Sequence, residues 1–530
     1  MSNINILDCT LRDGGYINNW NFGRKTISQI ISKLSAANID IIECGFIDDV
    51  EYDSDKSIFN SIESLKKIIE PKNKNVLYVG MIAQPYIPIE KVSDFDGSSI
   101  DGIRLTFHEN EVDEALVYAK QLIEKGYKVF IQPVGTSSYS DLKLLELVKK
   151  VNEIKPYAFY LVDTLGVMYK NDLLRMYHLL DNNLDESILV GFHSHNNLQL
   201  SFSNAQELLT LHSKREIIID SSVFGMGRGA GNLCTELITQ YINDNLIYSY
   251  DVIPLLEIYD EHLSKINNDV SWGYSIPYYL AATYMCHPNY ASYLLNKQTI
   301  TVKSISKILA KLPIDKRDIY DTDLIEEQYL KYQKNLIDDS NFLYELKQEL
   351  KDQEILVIGP GASVNLENNK IQELIKNQNP YIISVNYIPD NISLNALFIS
   401  NSKRYKDLNG QIENFREHGL VIATSNIANE KEIDKMVNYS DLLVQDELIS
   451  DDSCLMLMNL LKKMSVSRVY LAGFDGYSYI KSENYNRIDL IYNNNQQELI
   501  LKNHLIQKNL NLLSNFIDIL FVTTSIYNQK

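Results

Sequence analysis

From residue 4 to residue 232 the chain alternates short, nearly continuous apolar runs with longer stretches whose apolar residues recur at three- and four-residue spacing. The runs are INILDCT, IDIIECGF, NVLYVGMI, GIRLTF, KVFIQPVG, AFYLVDT, ILVGFHSH and EIIIDSSVFG. Strands buried on both faces have this composition, and strand–helix alternation predicts parallel βαβ units. Between the runs, segments such as RKTISQIISKLSAAN and NEVDEALVYAKQLIEKG carry helical spacing. Eight runs in roughly 220 residues match a (β/α)8 barrel in count and size, favoured here over an open doubly wound sheet.

Beyond the barrel the pattern turns mostly helical, as in IPYYLAATYMCHPNYASYLLN and TDLIEEQYLKYQKNLI. An acidic, lysine-rich stretch around 336–353 marks a boundary. A second strand–helix pattern then opens with EILVIGPGASVN and continues through YIISVNY, ALFISN, LVIATSN, LLVQDE, RVYLAGFDG and IDILFVTT. The expected organisation is an α/β protein in three parts. These are a TIM barrel over 1–240, a helical extension over 241–335 and a Rossmann-like α/β domain over 352–530.

Composition narrows the partners. A formal charge of −19 argues against a broad basic surface for nucleic acid or an anionic membrane. No basic segment followed by an apolar one opens the chain, and no apolar stretch approaches the roughly 20 residues that span a bilayer. The five cysteines are scattered, with no C-x-x-C, which fits a reducing compartment. The expectation is a cytoplasmic homo-oligomer.

In a (β/α)8 barrel the active site gathers at the carboxyl ends of the strands, so polar residues there carry the candidate chemistry. Strand 1 ends in DCTLRDGG, with Arg12 and Asp13, and Glu43 lies near the end of strand 2. Strand 7 ends in His193 and His195, and strand 8 runs into GMGRGAGN, which closes on Asn232. Residues i and i+2 of a strand face the same way, so both imidazoles project together. Alone, the pair better suits a strand end with His193 bonded to backbone and His195 solvated. Asp13 and Asn232 at matching strand ends favour a two-histidine, one-carboxylate site for a divalent ion. Arg12 beside it suits a developing oxyanion, and an ion pair with Glu43 would hold that guanidinium in place. Arg104 and Thr164 are expected substrate contacts. In the C-terminal part, Gly359 and Gly361 form a G-x-G turn after a strand, compatible with a nucleotide or nucleotide sugar.

Four motifs occur together and in order: DCTLRDGGY (8–16), IIECGF (41–46), GFHSHNNLQLSFSNAQ (191–206) and GMGRGAGN (225–232). Together they resemble the DRE-TIM metallolyase, or HMGL-like, superfamily. That superfamily includes 4-hydroxy-2-oxovalerate aldolase, hydroxymethylglutaryl-CoA lyase and the isopropylmalate and homocitrate synthases. The resemblance implies that Asp13, His193 and His195 bind Mn2+ or Mg2+, with Asn232 as a ligand or close support. It implies that Arg12 stabilises an enolate and that Glu43 holds Arg12. HSHNNLQLSFSNA is most similar to the pyruvate-forming aldolases, which cleave or form a 4-hydroxy-2-oxo acid from a 2-oxo acid and an aldehyde. One position departs: Tyr16 stands where the aldolases carry the histidine that serves as base. Tyr16 itself, with an equally good structural explanation, and His287, whose place in a helical CHPNY favours a structural role, are the candidate replacements. The other readings are an acyl-CoA-dependent Claisen synthase and a non-catalytic scaffold for a glycosyltransferase-like domain. The C-terminal part faintly resembles sialyltransferase and motility-accessory proteins, which would tie the aldolase to surface-glycan synthesis.

Overall fold

The computed structural model describes residues 4–211, 215–317, 319–334, 336–408, 410–427, 435–478, 484–487 and 496–528. Contacts divide the chain into two compact units, Met1–Asn289 and Tyr290–Lys530.

The first unit is the barrel. Its strands are β1 (Ile4–Asp8), β2 (Ile41–Ile47), β3 (Leu77–Ile82), β4 (Gly102–Phe107), β5 (Lys128–Pro133), β6 (Ala158–Asp163), β7 (Leu189–Ser194) and β8 (Ile217–Ser221). Each pairs in parallel with the next, and β1 pairs with both β8 and β2, closing the sheet. All eight fall on the apolar runs of the sequence. β-Branched and aromatic residues dominate them because both faces are buried, against the barrel interior and against the outer helices. Leu7, Val79, Phe130, Tyr160 and Ile218 fill the interior, while a larger core packs the sheet against the helices. The connection between β3 and β4 holds only the 3-10 turn Ile89–Lys91. Its sequence AQPYIPIEKVSDFDG carries two prolines and turn formers where the other connections carry a helix.

Two local features shape the barrel mouth. β2 shifts register between Glu43 and Phe46, with Gly45 at φ +147°, where a Cβ would meet the Ser57 carbonyl at 2.1 Å. That close approach lets Ser57 Oγ donate to the Leu11 carbonyl at 2.7 Å, tying the loop after β2 to the loop that carries Arg12 and Asp13. After β8 come the helices Thr235–Asn245, Ile253–Ile258 and Ser264–Asp269, the last two joined by a π-turn.

The expected helical extension over 241–335 contains the division at 289/290. Its later helices belong to the second unit. There Tyr329 Oη donates to Asp451 at 2.6 Å and Gln333 Nε2 to Tyr439 Oη at 3.2 Å. The second unit's sheet comprises β9 (Ile355–Ile358), β10 (Tyr381–Val385), β11 (Ala396–Ile399), β12 (Leu420–Thr424), β13 (Lys435–Val437), β14 (Arg468–Ala472) and β15 (Asp518–Phe521). It is wholly parallel in the order β13-β12-β11-β10-β9-β14-β15, so the strand order reverses between β9 and β14. The run LLVQDE, expected as a strand, is instead a turn. Its backbone is satisfied locally, Leu442 accepting from Asn459 Nδ2 and Val444 donating to Ser450, while β13 takes the sheet edge. Among the described residues no helix is long and apolar enough to cross a membrane.

A Cβ on Gly191 of β7 would lie 2.3 Å from the Tyr160 ring inside the barrel. Gly191→Ala is therefore expected to destabilise the barrel by about 1–3 kcal/mol, read as a lower midpoint of thermal or urea unfolding.

Candidate metal centre

β7 delivers His193 at its end and His195 one turn of the pleat later, with ring centroids 5.3 Å apart. The loop after β1 brings in Asp13. One donor atom from each of these three buried residues lies within 4.8 Å of the others. Hydrogen bonds fix the ring tautomers. His193 Nδ1 bonds Asp220 Oδ2 at 2.9 Å and His195 Nδ1 bonds the Arg228 carbonyl at 3.1 Å. A carboxylate and a carbonyl only accept, so each Nδ1 carries a proton, which leaves Nε2 as the ligand atom of each ring in its neutral form. Asp13 Oδ1 accepts from Arg12 Nη1 at 2.7 Å and Oδ2 from Asn232 Nδ2 at 2.6 Å. The Asn232 carbonyl oxygen is buried and has no hydrogen-bond partner among the described residues. A Cβ on Gly227 would fall 2.3 Å from Asn232 Nδ2 and 2.7 Å from Asp13 Oδ2, so glycine is required for the turn to reach this cluster.

Beneath the cluster runs a connected set of buried ion pairs. Arg12 Nε donates to Glu43 Oε2 at 2.9 Å, and Arg104 Nη1 donates to the same oxygen at 2.7 Å. Arg104 Nη2 donates to Asp220, which in turn holds His193. The chain of contacts therefore starts at one candidate ligand, Asp13, and ends at another, His193. Burial alone would raise Asp13, but Arg12, His195, His193 and the Asn232 amide together hold it well below the usual carboxylate range. Burial pushes His195 down to about 4 against the opposing pull of Asp13, so its ring is neutral near pH 7. Asp220 is likewise lowered, burial being outweighed by Arg104 and His193. The donor set is thus a neutral imidazole and an ionised carboxylate with a second imidazole beside them, which a divalent cation requires.

The remaining expected site residues are placed as follows. Glu43 touches Arg12 and Arg104 only through Oε2, while its Oε1 is buried without a partner. Arg104 is 0% exposed and lies within the ion-pair layer beneath the cluster. Thr164 is half-buried and its Oγ1 accepts from Gly135 N at 2.9 Å, joining the loops after β5 and β6. Tyr16 is exposed at the mouth, with Trp20 edge-on at 4.7 Å and the Arg228 guanidinium 3.9 Å from its ring centroid. His287 is half-buried and pushed down to about 4 by burial and by the charge of Arg228. Asp220 and Arg228 were not singled out from the sequence. An acidic residue inside the apolar run EIIIDSS was the available signal for Asp220.

In the second unit, Gly359 and Gly361 sit in the turn after β9, at the strand-order reversal. A Cβ on either would meet the Gly473–Asp475 segment within 2.7 Å. At the start of the helix that follows, Asp475 Oδ2 accepts from the Ser363 N–H at 2.7 Å. These glycines therefore serve a close approach within the chain. Gly361 also borders a cavity of about 560 Å³ whose walls include Asn386, Arg404, Asp452, Tyr477 and Lys502.

Comparison with known proteins follows the barrel. A family profile described as HMGL-like matches residues 102–256. An oxaloacetate decarboxylase of Mycobacterium tuberculosis is 26% identical over 241 residues, 44% of this chain and 68% of that protein. A 4-hydroxy-2-oxovalerate aldolase of Geobacillus genomosp. 3 is 25% identical over 242 residues, 45% of this chain and 70% of that protein. The solved N-terminal domain of a candidate aldolase from Bacteroides vulgatus superposes with a TM-score of 0.49 at 25% identity, covering 57% of this chain and 99% of that one. The barrel half of the chain is thus similar in sequence to lyases and aldolases of the HMGL-like family.

Proposed function

We propose that the barrel is a divalent-metal-dependent aldolase that cleaves or forms a 4-hydroxy-2-oxo acid through a pyruvate-type enolate. The observation that carries this reading is the convergence of Asp13, His193 and His195 beside an arginine with a donor to spare. The residues fit a metal: among the described residues neither Nε2 makes a hydrogen bond, and the Asn232 oxygen is a buried acceptor without a partner. Bound there, Mn2+ or Mg2+ would supply Lewis acidity toward the carboxylate and keto oxygens of a 2-oxo acid.

The chain's own residues supply the rest. Arg12 spends Nε on Glu43 and Nη1 on Asp13, and its Nη2 has no protein acceptor among the described residues. That nitrogen is left for the oxygen on which charge develops as the bond between C3 and C4 breaks. The C4 hydroxyl proton passes to a base, the aldehyde departs, and the bonding pair remains as the enolate facing Arg12. A proton returned to C3 gives pyruvate. Tyr16 is the group we assign to the hydroxyl proton, since its phenol lies at the mouth within the field of Arg12. A second reading, decarboxylation of a 2-oxo diacid, forms the same enolate by losing carbon dioxide and needs no base at the leaving end. The absent histidine and the activity of the mycobacterial relative favour testing it. The expectation of a nucleotide sugar draws no support from the Gly359–Gly361 turn, which Asp475 fills.

Purified full-length protein supplied with Mn2+ is expected to release pyruvate from 4-hydroxy-2-oxo acids, followed with lactate dehydrogenase, and oxaloacetate tests the second reading in the same assay. EDTA should remove the activity, and Asp13→Asn should lower it at least about a hundredfold. Activity surviving both contradicts the proposal. In calorimetry Asn232→Ala should weaken Mn2+ binding about ten- to a hundredfold, and unchanged affinity would remove Asn232 from the site.

A further inference from the structure

Arg228 is an arginine that the buried ion-pair network does not use. It stands in the middle of GMGRGAGN, a turn held from both ends. Asn196 N donates to the Gly231 carbonyl at 2.8 Å and Asn232 N to the Gly225 carbonyl at 3.0 Å. Ala230 N donates to Asn197 Oδ1 at 2.8 Å. The Arg228 carbonyl accepts from His195, and its neighbour Gly227 packs directly against Asp13 and Asn232. The side chain therefore leaves a rigid backbone at the very edge of the metal centre. Its guanidinium covers the Tyr16 ring, and its charge bears on His195 and His287.

No carboxylate among the described residues lies within ion-pair distance of that guanidinium, and no described group accepts its protons. His287, the other titratable group facing it, is neutral near pH 7 and offers no counter-charge. The chain carries 69 acidic residues against 50 basic ones, yet no described carboxylate pairs with this half-buried arginine. Charge counting sharpens the point. The interior network sets the two guanidiniums of Arg12 and Arg104 against the three carboxylates of Asp13, Glu43 and Asp220. A divalent cation turns that single net negative charge into a single positive one, which the carboxylate of a 2-oxo acid matches. Arg228 is the charge left over.

We propose that Arg228 docks a second anionic group, carboxylate or phosphate, on the part of the substrate remote from its 2-oxo acid. The aldehyde partner is then itself an anion. The proposal rests on the aldolase reading for the near end of the substrate. It places the far end by Tyr16, which lies under Arg228 and faces the C4 hydroxyl in that reading. A guanidinium stacked on an aromatic ring keeps its in-plane N–H donors free, and their fork matches a carboxylate or phosphate bidentately.

The test separates binding from turnover. With Mn2+ present, calorimetry compares 2-oxoglutarate with 2-oxopentanoate, acids of equal carbon count that differ in the second carboxylate. The unaltered protein should bind the diacid at least about tenfold more tightly. Arg228→Gln should bring the ratio near one, and Arg228→Lys should keep part of it. Equal binding in the unaltered protein, or a preference that survives Arg228→Gln, overturns the proposal. Condensation of pyruvate with propanal, succinate semialdehyde and glyceraldehyde 3-phosphate then identifies the source of the anion. A higher kcat/KM for one charged aldehyde, expressed in KM, supports the assignment, and equal values for all three overturn it. Absence of aldol turnover alongside an Arg228-dependent diacid preference would defeat the aldolase reading and leave the anion-docking role standing.

Discussion

Asp13, Arg12, Glu43, Arg104, Asp220 and His193 form one continuous path of charge-assisted hydrogen bonds inside the barrel mouth. Its members come from the loop after β1 and from β2, β4, β8 and β7, so the path ties five positions of the closed sheet to a common geometry. Burying charges is costly, and removing one partner of such a pair typically costs about 3–5 kcal/mol because the other is left unpaired. The network repays that cost only while every strand keeps its register. It also sets the chemistry. Arg104 orders Glu43 and Asp220, Glu43 orders Arg12, and Asp220 fixes the tautomer of His193. The candidate ligands are held in place by the buried groups of Glu43, Arg104 and Asp220.

Much of this was legible in one dimension. The eight apolar runs predicted the eight barrel strands because a strand buried on both faces cannot hide its composition. The i, i+2 histidines and Asp13 were legible because strand ends in a barrel converge on one point. Arg104 was singled out, but as a substrate contact. What it touches depends on how strands four apart in sequence order face each other across the barrel, which no local pattern encodes. Asp220 was passed over for the same reason. In the second unit, LLVQDE had strand composition, yet side-chain and turn hydrogen bonds claimed its backbone first. The G-x-G turn was real, but its occupant, Asp475, lies 114 positions beyond Gly361.

Tyr16 and Arg228 meet at the barrel mouth, the guanidinium 3.9 Å from the ring centroid. By the resemblance a histidine base is expected where Tyr16 stands, and a guanidinium with no carboxylate partner among the described residues covers the tyrosine ring. In the proposed reaction both lie on the side of the site that would receive the leaving aldehyde. The second unit is a parallel α/β layer with its own core and its own cavity at the strand-order reversal, where open α/β sheets most often bind small molecules.

The claim on which the account turns is that His193 and His195 together hold a divalent ion. Pulsed electron paramagnetic resonance on the full-length chain loaded with one equivalent of Mn2+ tests it directly. Two imidazole nitrogen couplings are expected, one of which should vanish in His193→Asn and the other in His195→Asn. Bound Mn2+ without nitrogen couplings, or couplings unchanged in both variants, would contradict it.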